Sequence, residues 1–325
     1  MRILVTGASG FVGRQLVPAL AGGHEVVACV RRPGSSVGAV RELVVAGIDG
    51  RTDWGDGLSG VEVVVHLAGR AHVMREDAAD PLSLYREVNV EGTRTLAEAA
   101  ARCGARRLVF MSTIKVNGEG TRGRAFTDRD APAPVDPYGV SKWEGEQALA
   151  EVSARTGLEV VALRPPVMYG PGVKGNIKRI AALVGRGVPL PLGSVANRRT
   201  MLSAGNMVRW VRAAVESPLA PRRPVLMGDP RPVSTAELVR QLAAGMGRPD
   251  RLVPFPVAGL LLGGKLLRHE ADVARLVEDL EIATSDDLRP ADLADPGGEL
   301  RALGAWLAEQ AHHPAPEPSP AASEG

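Results

Sequence analysis

Tyr138 and Lys142 stand four residues apart, a spacing that puts both side chains on one face of a helix. An ammonium beside a phenol favours the phenolate, so the tyrosine's ordinary pKa of about 10 should fall toward working pH. Taken alone, such a pair describes many solvated helix faces. It gains meaning from two other stretches, the glycine-rich opening Thr6-Gly7-Ala8-Ser9-Gly10-Phe11-Val12-Gly13 and the step Ser112-Thr113. The opening suits a dinucleotide, the hydroxyls suit a substrate oxygen, and the tyrosine suits proton transfer. Together they point to hydride-transfer chemistry.

A strand, a Gly-x-x-Gly-x-x-Gly run and a helix form the right context for a pyrophosphate at a helix N-terminus. Gly7 permits the tight turn and Gly10 lets the backbone approach phosphate. Gly13 lets helix and strand pack, and Ser9, Phe11 and Val12 complete the loop. The second strand should end in whatever reads the adenosine ribose. Here it ends Cys29-Val30-Arg31-Arg32, without a carboxylate. A guanidinium pair suits a 2′-phosphate, hence NADP(H) over NAD(H), unless the arginines simply cap a surface loop. His66 lies inside an apolar run and reads as a hydrogen-bonded core histidine rather than an acid or base. After it comes Leu67, then Ala68 and Gly69, which are small enough to let backbone approach a cofactor. Asp49 and Asp53 could contact adenine or cap turns.

The elements that must position these groups are legible. Short β-branched runs at 2–6, 25–30, 61–68, 107–112 and 159–164 alternate with helical patterns at 11–21, 81–102 and 138–156. That alternation predicts an α/β fold, a doubly wound parallel (Rossmann) sheet with crossover helices. Glycines and prolines make 118–137 a loop leading to the Tyr138 helix. After Arg164, Pro165-Pro166 breaks the pattern. Helices near 176–186, 204–216, 234–246 and 260–280, with strands near 189–192 and 224–227, predict a smaller, partly interleaved lobe over 165–311. The proline-rich stretch 312–325 reads as disordered.

The 325 residues carry a net charge of only +2, with the basic side chains scattered, which argues against nucleic acid. Hydrophobic residues reach 45% but aromatics only 3%, so Val, Leu, Ala and Ile must build the core. Cys29 and Cys103 lack metal-ligand spacing and read as buried thiols of a reducing compartment. Met1 runs directly into the first strand, so no signal peptide is expected and the cytoplasm is the expected location. The apolar run 257–267 is too short to span a bilayer and reads as a buried helix or hydrophobic cover.

Six motifs in this order, Thr6-Gly7-x-x-Gly10-x-x-Gly13, His66-Leu67-Ala68-Gly69, Asn89-Val90-x-Gly92-Thr93, Ser112-Thr113, Tyr138-x-x-x-Lys142 and Arg164-Pro165-Pro166, resemble the extended short-chain dehydrogenase/reductases. More narrowly, over about residues 1 to 300, they look like their nucleotide-sugar epimerase/dehydratase group. The resemblance implies that Tyr138 is the general acid/base and that Lys142 holds the nicotinamide ribose and tunes it. Thr113 would bond the sugar oxygen, with Asn89 and Pro165 bordering the cofactor, NADP(H) or NAD(H). Asn176 and Arg199 would bind the diphosphate of a nucleotide-diphosphate sugar. A homodimer is the assembly such a resemblance suggests.

Two departures shape the reading. Where 4,6-dehydratases carry Asp-Glu after the catalytic Thr, this chain has Ile114-Lys115, which disfavours dehydration. The acidic ribose reader of NAD-retaining epimerases is replaced by Val30-Arg31. The stretches 112–119 and 170–176 look most like the branch containing UDP-N-acetylquinovosamine-type 4-keto reductases. The expectation is therefore a nucleotide-sugar 4-ketoreductase. The alternatives are a 4-epimerase of the UDP-glucose or UDP-N-acetylglucosamine type with bound NAD, and a non-catalytic NAD(P) sensor.

Overall fold

The computed structural model describes residues 1–38, 41–71, 80–218, 220–221 and 223–312. Two compact units are distinguishable: residues 1–168, 198–232 and 278–294, and residues 169–197, 233–277 and the chain from 295. Segments 198–232 and 278–294, which sequence patterning assigned to the lobe after Arg164, therefore belong to the first unit.

Strands β1 (Arg2–Thr6), β2 (Glu25–Val30), β3 (Arg41–Val44), β4 (Val63–His66), β5 (Arg107–Met111) and β6 (Glu159–Arg164) are followed by the short β7 (Met168–Tyr169), β8 (Leu202–Ser203) and β9 (Val225–Leu226). Seven of them form one wholly parallel sheet in the order β3-β2-β1-β4-β5-β6-β9. The order reverses at β1, so a crevice opens beyond the carboxyl ends of β1 and β4, where open α/β sheets bind ligands. In register, Thr6 stands opposite Cys29 on one side and His66 on the other.

Helices α1 (Phe11–Ala21), α2 (Pro81–Arg86), α3 (Gly92–Arg102), α4 (Pro137–Thr156) and α6 (Ala204–Glu216, after α5, Gly175–Gly185) complete the main frame. Period-2 alternation divides the strands between two cores. Ile3, Val5, Val63, Val65, Val109 and Leu163 pack with Leu16 and Leu20 of α1 and with Met207 and Trp210 of α6. Leu4, Val64, Leu108 and Phe110 pack instead with Leu96 and Ala100 of α3 and Leu149 and Val152 of α4. Being covered on both faces, these strands read as near-continuous Val and Leu runs.

Several expectations needed correction. The strand expected over 61–68 is ladder-paired only at Val63–His66, because β1 beside it ends at Thr6. The helix expected over 81–102 is interrupted by a π-helical turn at Glu87–Glu91. The edge strand β3 carries two charged residues and was not foreseen. Near 189–192 there is only one bridge, Leu190 to Leu252. Cys29 is buried with its thiol pushed up to about 12 by loss of water, but Cys103 is exposed.

The second unit contains α5, α7 (Thr235–Gly245), α8 (Val257–Leu266), α9 (Glu270–Val277) and α10 (Pro296–His312). The helix expected over 260–280 breaks at Arg268, whose φ of 58° lies in the left-handed region. The apolar run 257–267 was expected to be a buried helix or hydrophobic cover; it is helical, but Leu261, Leu262, Leu266 and Leu267 are exposed, which corrects the first of these. Helix α10 reaches His312, and residues 313–325, where a disordered tail was expected, lie outside the described residues. Among the described residues no helix is long and apolar enough to cross a membrane, and no cluster of three or more His, Cys, Asp or Glu could hold a metal ion.

Candidate active site

The glycine-rich turn is shaped by close backbone contacts. Gly7 has a φ of 67°, and a Cβ on it would lie 2.8 Å from the backbone nitrogen of Ala68. A Cβ on Gly13 would come within 2.4 Å of the Gly7 carbonyl oxygen, so α1 packs against the turn only through glycine. Helix α1 begins at Gly10, which offers no side-chain cap, and its first turn holds no acid. Its leading N–H groups and dipole are therefore open to an anion. Ser9, Phe11 and Val12 surround this terminus and are all partly exposed. That donor set fits the pyrophosphate of a dinucleotide.

Beside it, the end of β4 is held by a buried histidine. The Thr6 hydroxyl lies 2.7 Å from His66 Nδ1, and His66 Nε2 lies 3.0 Å from the Thr93 hydroxyl. Thr6 also accepts from the Ala68 N–H at 3.2 Å. Burial, with Lys142 nearby, depresses the His66 pKa to about 3, so the ring is neutral and structural, as the apolar context suggested. Leu67 and Ala68 are partly buried and Gly69 is exposed at the crevice.

Asn89 ties this loop to the tyrosine helix. Its side chain accepts from the Arg70 N–H at 2.8 Å, and it donates to the Arg70 carbonyl at 3.1 Å and the Ser141 hydroxyl at 2.9 Å. The π-helical turn carries Asn89, a distortion that recurs at functional sites. A Cβ on Gly145 would lie 2.6 Å from the Asn89 carbonyl oxygen, so α4 approaches this turn only because residue 145 is glycine.

Helix α4 starts where Asp136 caps it, accepting from the Gly139 N–H at 2.6 Å, with Pro137 in the first turn. Tyr138 is half-buried, and the side chain of Thr113 lies close enough to bear on its ionisation. Thr113 follows β5 and caps the short 3₁₀ turn Ile114–Val116. The two residues expected to share a substrate oxygen are thus neighbours. The ionisation differs from expectation. Burial, then the Asp136 carboxylate, raises the Tyr138 pKa, with the nearby Thr113 only partly offsetting them. Burial lowers Lys142 to about 7, against the pull of Glu146. Its ammonium lies 4.0 Å over the Phe110 ring and 3.6 Å from where a Cβ on Gly69 would sit. The cation faces the crevice loop rather than lowering the phenol as helical spacing implied.

Sequence reasoning missed the support behind these groups. Arg164 donates to Glu146 at 2.9 and 2.5 Å and to Asn117 at 2.9 Å, while Ser112 donates to Glu146 at 2.5 Å. The Tyr85 ring stands 6.2 Å from the Tyr138 ring. Glu146 follows Lys142 by four residues, a helical spacing that could have signalled it. Nothing local pointed to Tyr85.

The remaining candidates are scattered. Arg31 and Arg32 are exposed just after β2. The nearby carboxylate of Glu42 is engaged by the N–H groups of Gly34 and Ser36 at 2.7 and 2.9 Å. Asp49 and Asp53 accept from the N–H groups of Arg51 and Gly55, so each closes a local turn. Pro165 is buried and its carbonyl accepts from the Ile114 N–H at 2.9 Å. Lys115 is ion-paired with Asp136 and Glu119, so no carboxylate occupies positions 114 or 115. Arg199 lies in the first unit and donates to the Glu278 carbonyl at 3.0 Å. Asn176, near the start of α5, lies in the second.

Residues 3–226 match the family model described as the NAD dependent epimerase/dehydratase family. The chain is 42% identical over 288 residues to a UDP-glucose 4-epimerase of Vibrio cholerae, covering 87% of each protein. It is 33% identical over 288 residues to a 3-diazoavenalumate denitrifying reductase of a Streptomyces species, covering 85% of this chain and 91% of the relative. Among solved structures it resembles MoeE5 in complex with UDP-glucose and NAD, with a TM-score of 0.74 and 26% identity over 96% of this chain and 100% of that one.

Proposed function

The chain belongs to the NAD dependent epimerase/dehydratase family, and we propose from that premise that it is a nucleotide-sugar 4-epimerase. The single observation that carries the chemistry is the closeness of Thr113, just past the carboxyl end of β5, to the phenol of Tyr138. An epimerising relative at 42% identity and a structural relative solved with UDP-glucose and NAD support the substrate class. Sequence reasoning had ranked a 4-ketoreductase first; these likenesses favour its alternative. The sensor reading loses ground because Thr113, Tyr138 and Lys142 are complete and gathered in one unit.

When bound, the dinucleotide supplies a hydride acceptor and donor for the sugar's C4. Gly7, Ser9, Gly10, Phe11, Val12 and Gly13 would hold its pyrophosphate, with Leu67, Ala68, Gly69, Asn89 and Pro165 along the crevice and Arg31 and Arg32 at the ribose end. Thr113 orients the C4 oxygen and Tyr138 exchanges its proton. With its pKa raised, the phenol of the free protein keeps that proton, which suits protonation of the oxygen. Abstraction requires the Lys142 ammonium to oppose the phenolate once ligands exclude water. Positions 114 and 115 offer no carboxylate for dehydration across C5 and C6. Arg199 is proposed to bind the diphosphate.

Stoichiometry tests the reading. Purified protein incubated with UDP-glucose should yield the C4 epimer with no net change in nicotinamide absorbance. One NAD(P)H oxidised per 4-keto nucleotide sugar consumed, with no epimer formed, would instead establish the ketoreductase. The 33% identity to a reductase keeps that second reading in play.

A further inference from the structure

We propose that helix α8 docks this protein on an anionic lipid surface. The helix Val257–Leu266 is apolar on nearly every side, yet Gly264 is its one buried residue. One side is accounted for within its own unit: a Cβ on Gly264 would lie 2.8 Å from Val273, so α9 packs there. The opposite side carries Ala258, Leu261, Leu262, Lys265 and Leu266 at helical i, i+3, i+4, i+7 and i+8 spacing, all exposed. Leu262, Leu266 and Leu267 are 61%, 75% and 72% exposed, and Val253 and Phe255 continue the patch. A helix apolar all round needs a cover, and clustered exposed leucines mark an interaction surface.

Charge selects the occupant. Between Asp250 and Glu270 there is no acidic residue, whereas Arg251, Lys265 and Arg268 are basic and exposed. Lysine within a leucine stripe can lay its stem along apolar surface while its ammonium reaches phosphate headgroups. Leucine and phenylalanine beside Lys and Arg, on a helix too short to span, are the attributes of an interfacial helix. Residues 313–325 contain no Leu, Ile, Val, Phe or Met, so the chain's own tail has nothing with which to cover the patch.

The test is co-sedimentation of the full chain with phosphatidylcholine vesicles, with and without a third of phosphatidylglycerol. Pelleting should require the anionic lipid and weaken with salt. It should fall at least tenfold in Leu262→Glu with Leu266→Glu, and separately in Lys265→Glu with Arg268→Glu, while melting temperatures hold. Absence of pelleting, or pelleting as strong in either variant as in the parent, overturns the proposal. So does light scattering that shows a dimer dissociated by the leucine variant in protein that ignores vesicles, since a second copy would then be the cover.

Discussion

The guanidinium of Arg164 grips both carboxylate oxygens of Glu146, at 2.9 and 2.5 Å, with 2% and 6% of the two side chains exposed. This pair lies directly behind the catalytic candidates. Glu146 also accepts from Ser112, the neighbour of Thr113, and its charge bears on Lys142 one turn away. Breaking a buried pair leaves a charge without a partner. Glu146→Ala should therefore destabilise the protein by about 3–5 kcal/mol, whereas Glu146→Met with Arg164→Met should recover much of that loss. Urea unfolding of the three proteins checks this. A single variant as stable as the parent would mean that solvent reaches the site.

Tyr138→Phe keeps the ring and removes the transferable proton. Turnover should fall about a hundred- to ten-thousandfold, with cofactor affinity nearly intact. Thr113→Val should lower turnover as well, while Thr113→Ser should retain most of it. Unchanged turnover in Tyr138→Phe would remove this residue from the mechanism.

Lys142 links stability to pH. Its pKa is about 7 in the folded chain and about 10.4 in an unfolded one. Below the lower value both states hold the proton, and above the higher value neither does. Between them the unfolded chain binds more protons, so stability rises with pH across that window. Cofactor-free Lys142→Met should lose this rise and be more stable than the parent at pH 6. His66 adds a second rise, from about 3 in the folded chain to about 6.5 in the unfolded one. Denaturant midpoints measured from pH 4 to pH 10 on both proteins would show the slopes.

Arg31 and Arg32 directly follow β2, and the Glu42 carboxylate is engaged by Gly34 and Ser36. A charge-assisted bond to a 2′-phosphate contributes roughly 1.5–3 kcal/mol, less at an exposed rim. NADP(H) should therefore bind about tenfold more tightly than NAD(H) at low salt. The advantage should vanish in Arg31→Ala with Arg32→Ala. Fluorescence titration decides it, and a clear preference of the parent for NAD(H) would assign both arginines to a surface loop.

Arg199→Ala should raise KM for a nucleotide sugar and leave cofactor affinity within error, because an arginine can hold phosphate oxygens bidentately. Loss of cofactor affinity with KM unchanged would move Arg199 out of the proposed diphosphate site.

The parallel sheet, its crossover helices and the three groups proposed to do chemistry are legible in the chain before it folds. Val-rich runs covered on both faces read clearly, and Gly7 and Gly13 sit where only hydrogen fits beside Ala68 and the turn. The Thr113–Tyr138–Lys142 set was legible because each residue sits at a strand end or a helical spacing, both local signals. How those groups ionise is set by packing instead. Burial raises Tyr138 and depresses Lys142, and burial is set by residues far apart in the chain. The Arg164–Glu146–Ser112 network and Asn89's hold on Arg70 and Ser141 were likewise invisible, because their partners meet only after β5, β6 and α4 have packed. The same reason governs the run 257–267. Its composition specified an apolar helix, but whether an apolar helix is buried depends on what the rest of the fold brings to cover it.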